Sequence, residues 1–188
     1  LDKINYLTSD NLWNLKKLPR KLVILGGGPI GSEMAQAFSR LGSEVTIVEM
    51  SSQIMSREDN DVVKLVNERF KKEGIKVLVN HKAISFKSNK LICDHKGKEK
   101  VIEFDQVLLA LGRSPNINGF GLSELGVKIR DNGTIQANQF LQTNISNIFV
   151  CGDVTGPYQF THTAAHQAWY ATVNALFSPF KKFKVDYS

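Results

Sequence analysis

Three glycines constrain this chain more than any other feature. Gly26, Gly28 and Gly31 follow a short apolar run, Leu22-Val23-Ile24-Leu25, and precede residues 32–41, whose apolar positions Met34, Ala35, Ala37, Phe38 and Leu41 recur at helical spacing. A buried parallel strand reads as such a run, and an amphipathic helix as such a stripe. Gly42 stops the helix, and Val45-Thr46-Ile47-Val48 forms the next strand. The pattern is a βαβ unit with GxGxxG at its first turn, and the next strand ends at an acidic residue, Glu49. Each part has a physical reason in dinucleotide binding. Gly26 permits the tight turn, Gly28 lets a pyrophosphate approach the backbone, and Gly31 lets helix and strand pack closely. Pro29 and Ile30 complete the turn. The helix N-terminus offers free N–H groups and the positive end of its dipole to phosphate. Glu49 can accept both hydroxyls of an adenosine ribose and repels a 2′-phosphate, which favours NAD over NADP. Met50, Ser51 and Ser52 follow it with no adjacent Arg. Arg57, further along, reads either as a solvated loop residue or as a cation that reaches the 2′-position. Glu33, two residues after Gly31, reads equally as a complement to the helix dipole or as a residue facing the nicotinamide end.

The rest of the chain extends this α/β plan. Residues 59–73 read as a second helix through Val62, Val63, Leu65, Val66 and Phe70, stopped by Gly74; Val77-Leu78-Val79 is a third strand. Residues 83–104 alternate, with turns at Asn89 and Gly97, and read as an antiparallel meander inserted into a parallel sheet. An apolar strand returns over residues 105–111, broken by Gly112-Arg113-Ser114-Pro115-Asn116. Residues 117–129 read as irregular, an extended stretch begins at Ile135, Ile148-Phe149-Val150-Cys151 reads as a strand ending at Gly152-Asp153, and residues 161–177 read as a helix limited by Pro179. Residues 1–20 form a lead-in, with N-cap types Thr8, Ser9 and Asp10 before one amphipathic turn at Leu12, Trp13 and Leu15.

Composition removes several function classes. No apolar run is long enough to span a membrane as a helix. The net charge of +6 could suit nucleic acid, but Lys and Arg are scattered and no recognition motif accompanies them. The two cysteines, Cys93 and Cys151, have neither CxxC nor CxxxxC spacing and read as small buried strand residues in a reduced, cytoplasmic protein. No metal site is assigned. His162 and His166 read as surface histidines of the last helix.

Four stretches together carry a resemblance that covers nearly the whole chain: residues 26–33, Val48-Glu49, Leu109 through Asn116, and Ile148 through Val154. In order and spacing they resemble the pyridine nucleotide–disulfide oxidoreductases, in particular the dihydrolipoyl dehydrogenase and mercuric-reductase-like members. The resemblance implies a Rossmann-like α/β fold with two cofactors, NAD(H) and FAD. It implies an NAD(H)-binding domain over residues 21–116, preceded by the lead-in from a flavin domain and followed, over residues 117–188, by the C-terminal portion of that flavin domain. It places Glu33 at the nicotinamide carboxamide, Ala83 beside the adenine, and Ala110 and Gly112 near the cofactor; Met50, directly after Glu49, is counted among the cofactor-binding residues. It has Arg113 shape the crossing back toward flavin, and sets Gly152 and Asp153 on the ribityl chain. Phe160, Thr161 and His162 are placed near the flavin ring, where a helix start favours negative charge on reduced flavin.

The same resemblance implies that the chain is the middle of a longer, homodimeric enzyme. The sequence does not begin with Met, and it contains neither a first flavin-binding glycine motif, nor CxxxxC, nor a His-Pro motif. It is therefore expected to be catalytically incomplete by itself, with no catalytic residue of its own and no flavin retained. The expected parent activity is hydride transfer between NAD(H) and flavin, then onward to a disulfide, a metal or another acceptor. The contrasting readings are an NAD-sensing module, which has no use for Gly152-Asp153, and a redox scaffold that serves partner binding.

Overall fold

The computed structural model describes residues 4–186. The first three residues of the lead-in, and Tyr187 and Ser188 at the other end, lie outside them. The chain divides into two compact units, one up to Gly112 and one from Arg113.

The first unit is built on a four-stranded parallel sheet. β1 (Lys21–Leu25) is flanked by β2 (Glu44–Val48) and β7 (Gln106–Leu109), and β3 (Lys76–Leu78) lies outside β2, giving the order β3-β2-β1-β7. Central β1 is apolar throughout its buried part because both of its faces are covered. Leu22 and Ile24 face one core with Ala35, Ile47, Val63 and Phe70; Val23 and Leu25 face another with Val48, Leu91, Cys93 and Val107. The period-two alternation of strand side chains thus divides one sequence run between two cores.

α1 (Pro29–Leu41) starts three residues before the position read from periodicity. Pro29 occupies the first helical turn, where its missing N–H costs nothing and its fixed φ suits the helix. Gly42 ends it at φ +108, with amides of Gly42 and Ser43 closing on Ser39 and Phe38 carbonyls. α2 (Asn60–Lys72) packs beside it. Glu73, the residue after α2, joins the two helices. Its carboxylate accepts from Arg40 at 2.7 Å, Arg69 at 2.6 Å and Gln36 at 2.9 Å, and its carbonyl accepts from Ser39.

The meander is β4 (Lys82–Lys87), β5 (Lys90–His95) and β6 (Lys98–Glu103). It is inserted in chain order between β3 and β7, but its hydrogen bonds form a separate three-stranded sheet rather than extending the parallel one. Its apolar face, with Leu91, Cys93 and Phe86, closes the second core. The lead-in does more than connect. Leu7 pairs in parallel with Leu108, donating its amide to the Val107 carbonyl and accepting the Leu109 amide, so it covers the β7 edge. The amphipathic turn is a short 3-10 segment over Leu12–Asn14 with Asn11 at its cap, not Thr8, Ser9 or Asp10. Leu12 is buried while Trp13 is exposed.

The second unit has one long element, α3 (Thr161–Phe177), with the bounds expected from the sequence. Residues 148–151 are not a strand. Phe149 makes one antiparallel bridge with Gln142, and Gly152–Val154 turns into a 3-10 segment. A strand needs a run of neighbours to ladder with, and among the described residues the backbone bonds of residues 148–151 go to Leu141, Thr143 and Ile145 at one short turn. Cys151 is accordingly half-buried and outside any strand, unlike Cys93, which is buried in β5 with its thiol pushed up by burial against the opposing pull of Lys100. Arg130 organises the loops of this unit, donating to Thr134 Oγ1 and to the carbonyls of Ile135 and Thr155. Asn174, buried on α3, donates to the carbonyls of Phe140 and Phe183 and accepts the Phe183 amide.

Candidate functional site

The turn from β1 into α1 sits at the carboxyl end of the parallel sheet, beside the point where strand order reverses between β2 and β7. In open α/β sheets ligands bind there. The four glycines of the turn have different reasons. Gly26 has φ +101, and a Cβ on it would run into the Ala110 carbonyl oxygen. A Cβ on Gly31 would collide with the Gly26 carbonyl oxygen and press on Ala110. Gly27, to which the sequence reading gave no role, is as confined: its Cβ would fall 2.5 Å from a methyl of fully buried Ile54. These three are glycines because the protein itself fills the space. Gly28 is not. Its φ of −68 suits any residue, and among the described residues nothing beyond its own chain neighbours lies within 4 Å of the position a Cβ would take. The space before Gly28 is open.

α1 has no side-chain cap at Gly28, Pro29 has no N–H, and the first amide bonded back into the chain is that of Ser32, to the Gly28 carbonyl. The amides of Ile30 and Gly31 therefore have no intrahelical acceptor. The Ser32 hydroxyl instead donates to the Gly27 carbonyl at 3.2 Å.

Glu49 follows β2 and lies across this turn. One carboxylate oxygen accepts the Gly27 amide at 2.7 Å, and the other accepts the Ser51 amide at 2.7 Å. Burial opposes ionisation of Glu49, but the amides of Ser51 and Gly27, with the Ser51 hydroxyl and the Met50 amide, together outweigh it and hold the carboxyl below its ordinary value. The result is an ionised carboxylate oriented beside the glycine turn. Its backbone is tied on both sides, to Leu78 and to His81. Met50 beside it is largely exposed, and Ala83, two residues beyond His81, lies half-buried in β4 opposite Cys93. Exposed Arg57 lies in the loop between β2 and α2.

One expectation shifts. Because α1 begins at Pro29, Glu33 is exposed in the second turn and not in the first, and dipole effects fade within a turn, so the dipole reading of Glu33 loses its basis. Ala110 is a packing partner of both Gly26 and Gly31, with its amide bonded to the Leu25 carbonyl. Gly112 takes φ +113 at the end of the first unit.

The remaining candidates form a group of their own in the second unit. Gly152 has φ +79, and a Cβ there would meet Ala164 of α3 at 3.3 Å. Its amide donates to the buried Gln167 side chain at 2.6 Å. Asp153 is half-exposed, and one of its oxygens accepts from Arg113 at 2.9 Å. The same Arg113 nitrogen also donates to the Gln159 carbonyl at 3.2 Å. Arg113 thus ties the carboxylate to the segment that leads into α3. Phe160 caps α3 and stacks on His162, rings 5.4 Å apart; Thr161 and His162 are exposed in the first turn.

A parallel sheet in β3-β2-β1-β7 order, a glycine turn into a helix at its carboxyl edge and an acidic residue after β2 define the Rossmann-like class of α/β proteins. The family profile described as pyridine nucleotide-disulphide oxidoreductase matches residues 1–168. A mercuric reductase of Staphylococcus aureus is 34% identical over 180 residues, 94% of this chain and 33% of that protein. A dihydrolipoyl dehydrogenase of Staphylococcus aureus is 37% identical over 166 residues, 86% of this chain and 36% of that protein. Among solved structures, the HOCl-induced flavoprotein disulfide reductase RclA from Escherichia coli superposes with a TM-score of 0.83 at 31% identity, covering 95% of this chain and 41% of that one. The chain belongs to the pyridine nucleotide–disulphide oxidoreductase family. It spans about a third of the length of the curated relatives it matches. No helix among the described residues is long and apolar enough to cross a membrane.

Proposed function

We propose that this chain binds NAD(H) across residues 26–31 and Glu49, as the nucleotide-binding part of a longer FAD-dependent oxidoreductase that passes hydride between NAD(H) and flavin and then electrons to a disulfide, a metal or another acceptor. The observation that carries this reading is the Glu49 carboxylate, held ionised by the Gly27 and Ser51 amides beside the open space at Gly28. An ionised carboxylate at the end of β2 suits a ribose diol, and its charge disfavours a 2′-phosphate. Gly28 leaves room for a pyrophosphate, and the Ile30 and Gly31 amides with the α1 dipole offer it donors. Pro29 fixes the direction of that turn. Met50 and Ala83 would border the adenosine, and Glu33, Ala110 and Gly112 the nicotinamide half.

The second unit fits a flavin in the same manner. Arg113 occupies one Asp153 oxygen and leaves the other for a ribityl hydroxyl, and Gly152 keeps side-chain bulk away from it. Phe160, Thr161 and His162 would bring the α3 N-terminus to the ring. Flavin, when bound, supplies two-electron redox chemistry; the residues of this chain place and orient the groups and tune the local field. Residues 21–116 are assigned to nucleotide and 117–188 to part of a flavin domain, in a cytoplasmic homodimer.

Calorimetric titration of the chain with NADH and with NADPH tests the reading. Saturable NADH binding with clear preference over NADPH is the expected result. Preference for NADPH would place a cation such as Arg57 ahead of Glu49, and absence of either would remove the nucleotide role from residues 26–31 of this chain.

A further inference from the structure

The opposite end of the first unit holds a cleft of about 840 Å³, lined by Arg20 and Lys21 at the start of β1, by Lys87, Ser88, Asn89 and Lys90 at the β4–β5 hairpin tip, and by Glu103, Phe104 and Asp105 before β7. It is separated from the glycine turn by the length of β1, roughly 17 Å for five residues at strand rise. The cleft lies within the size range of small-ligand sites, but it is polar.

Four cationic side chains face two carboxylates here, and the carboxylates are already engaged. Glu103 pairs with Lys21 at 3.0 Å, and Asp105 accepts the Lys21 amide at 2.8 Å. Among the described residues, the side chains of Arg20, Lys87 and Lys90 have no ion-pair partner. Lys87 and Lys90 moreover stand directly opposite each other across the hairpin. Like charges opposed across two strands are unfavourable, and Glu103, opposite Lys90 on its other side in β6, offsets part of that cost for Lys90. Between the two lysines Ser88 takes φ +51, a left-handed conformation uncommon for a residue with a side chain, and the neighbouring hydroxyl and amide of Ser88 and Asn89 add neutral donors.

We propose that this cleft is a binding site for a small polyphosphate anion, distinct from the nucleotide site. Two facing ammonium groups and a guanidinium can engage several phosphate oxygens at once. The guanidinium supplies forked donors and the ammonium groups act as point charges. A multiply charged anion can engage several of these cations at once, where a single-charge anion engages fewer.

The test uses the whole chain with inorganic tripolyphosphate as probe, by calorimetry at low ionic strength and by amide shift mapping. The expected result is saturable binding with shifts concentrated at residues 20–21, 87–90 and 103–105, weakened at least tenfold in K87A/K90A and also in R20Q, with NADH affinity and urea midpoint unchanged. Shifts at residues 27–31, or displacement by NADH, would overturn the proposal by placing the anion in the glycine turn. So would unchanged affinity in the variants, binding no tighter than sulfate at matched ionic strength, equal binding of poly-glutamate, or no binding. Failure of NADH to bind the wild-type chain would count against the proposed function alone.

Discussion

Replacing Glu49 by Gln isolates charge and acceptor geometry at nearly constant shape. In the folded chain one carboxylate oxygen accepts the Gly27 amide and the other the Ser51 amide, with the Ser51 hydroxyl and the Met50 amide assisting. A ribose diol would use both oxygens. Gln retains one acceptor oxygen, turns an NH2 donor toward one of the amides, and loses the charge. A hydrogen bond to a charged acceptor contributes about 1.5–3 kcal/mol net. The site is half-exposed, which screens the charge, and one of the two bonds survives in weakened form. The expected loss of NADH affinity is therefore about 1–3 kcal/mol, or roughly 5- to 150-fold in Kd. NADPH should lose less, because the repulsion of its 2′-phosphate is removed as well, so the NADH preference narrows. Calorimetry with both nucleotides measures this, and a urea titration of the same variant separates binding from folding. An unchanged NADH Kd in a folded E49Q chain would refute the ribose role. An equal fractional loss for both nucleotides would refute the charge argument.

The two kinds of glycine should separate cleanly. Gly31→Ala forces a Cβ into the Gly26 carbonyl and should lower stability by about 1–3 kcal/mol, seen as a lower urea midpoint, whereas Gly28→Ala should cost less than about 1 kcal/mol in folding yet weaken NADH binding several-fold. Glu73, held down to about 2 first by the Arg40 hydrogen bond, with burial opposing and Gln36 and Arg69 assisting, has a folded pKa below the ordinary 4.5. Its contribution is therefore complete above pH 4.5 and lost as pH falls toward about 2, so Glu73→Gln should flatten the stability-versus-pH curve over that window, read by denaturant midpoints at each pH. Asn174→Ala leaves the carbonyls of Phe140 and Phe183 and the Phe183 amide without their buried partner and should destabilise the second unit by about 2–4 kcal/mol, with faster amide exchange along α3 and at residue 183.

Much of the first unit was legible because its signals are local. An apolar run, a glycine turn and a 3.6-residue stripe suffice to place β1, α1 and β2, since strand and helix periods differ and Gly and Pro punctuate them. Even there, the start of α1 was misplaced by three residues: Pro29 reads as part of a turn, although Pro at a first helical position is favourable. That small shift moved Glu33 into the second turn and changed its meaning. Gly27 carried no signal of its own. It occupies an unspecified position of GxGxxG, and only the packing of Ile54, 27 residues away, requires it to be small. In the second unit the apolar run at residues 148–151 promised a strand, but a strand exists only with neighbours to ladder, and its own sequence cannot supply them.

The sequence by itself determined which residues prefer strand, helix or turn, and that Glu49 follows the second strand of a βαβ unit, because these depend on residues near in the chain. Tertiary structure alone decided that Leu7 covers the β7 edge, that the meander forms its own sheet, that the Glu49 carboxylate is held by the amides of Gly27 and Ser51, and that Arg113 grips Asp153. Those contacts join groups as many as 101 residues apart, as Leu7 and Leu108 are. Their formation depends on how the elements pack, since a hydrogen bond or a buried contact has no existence until the chain has closed the loop between its partners.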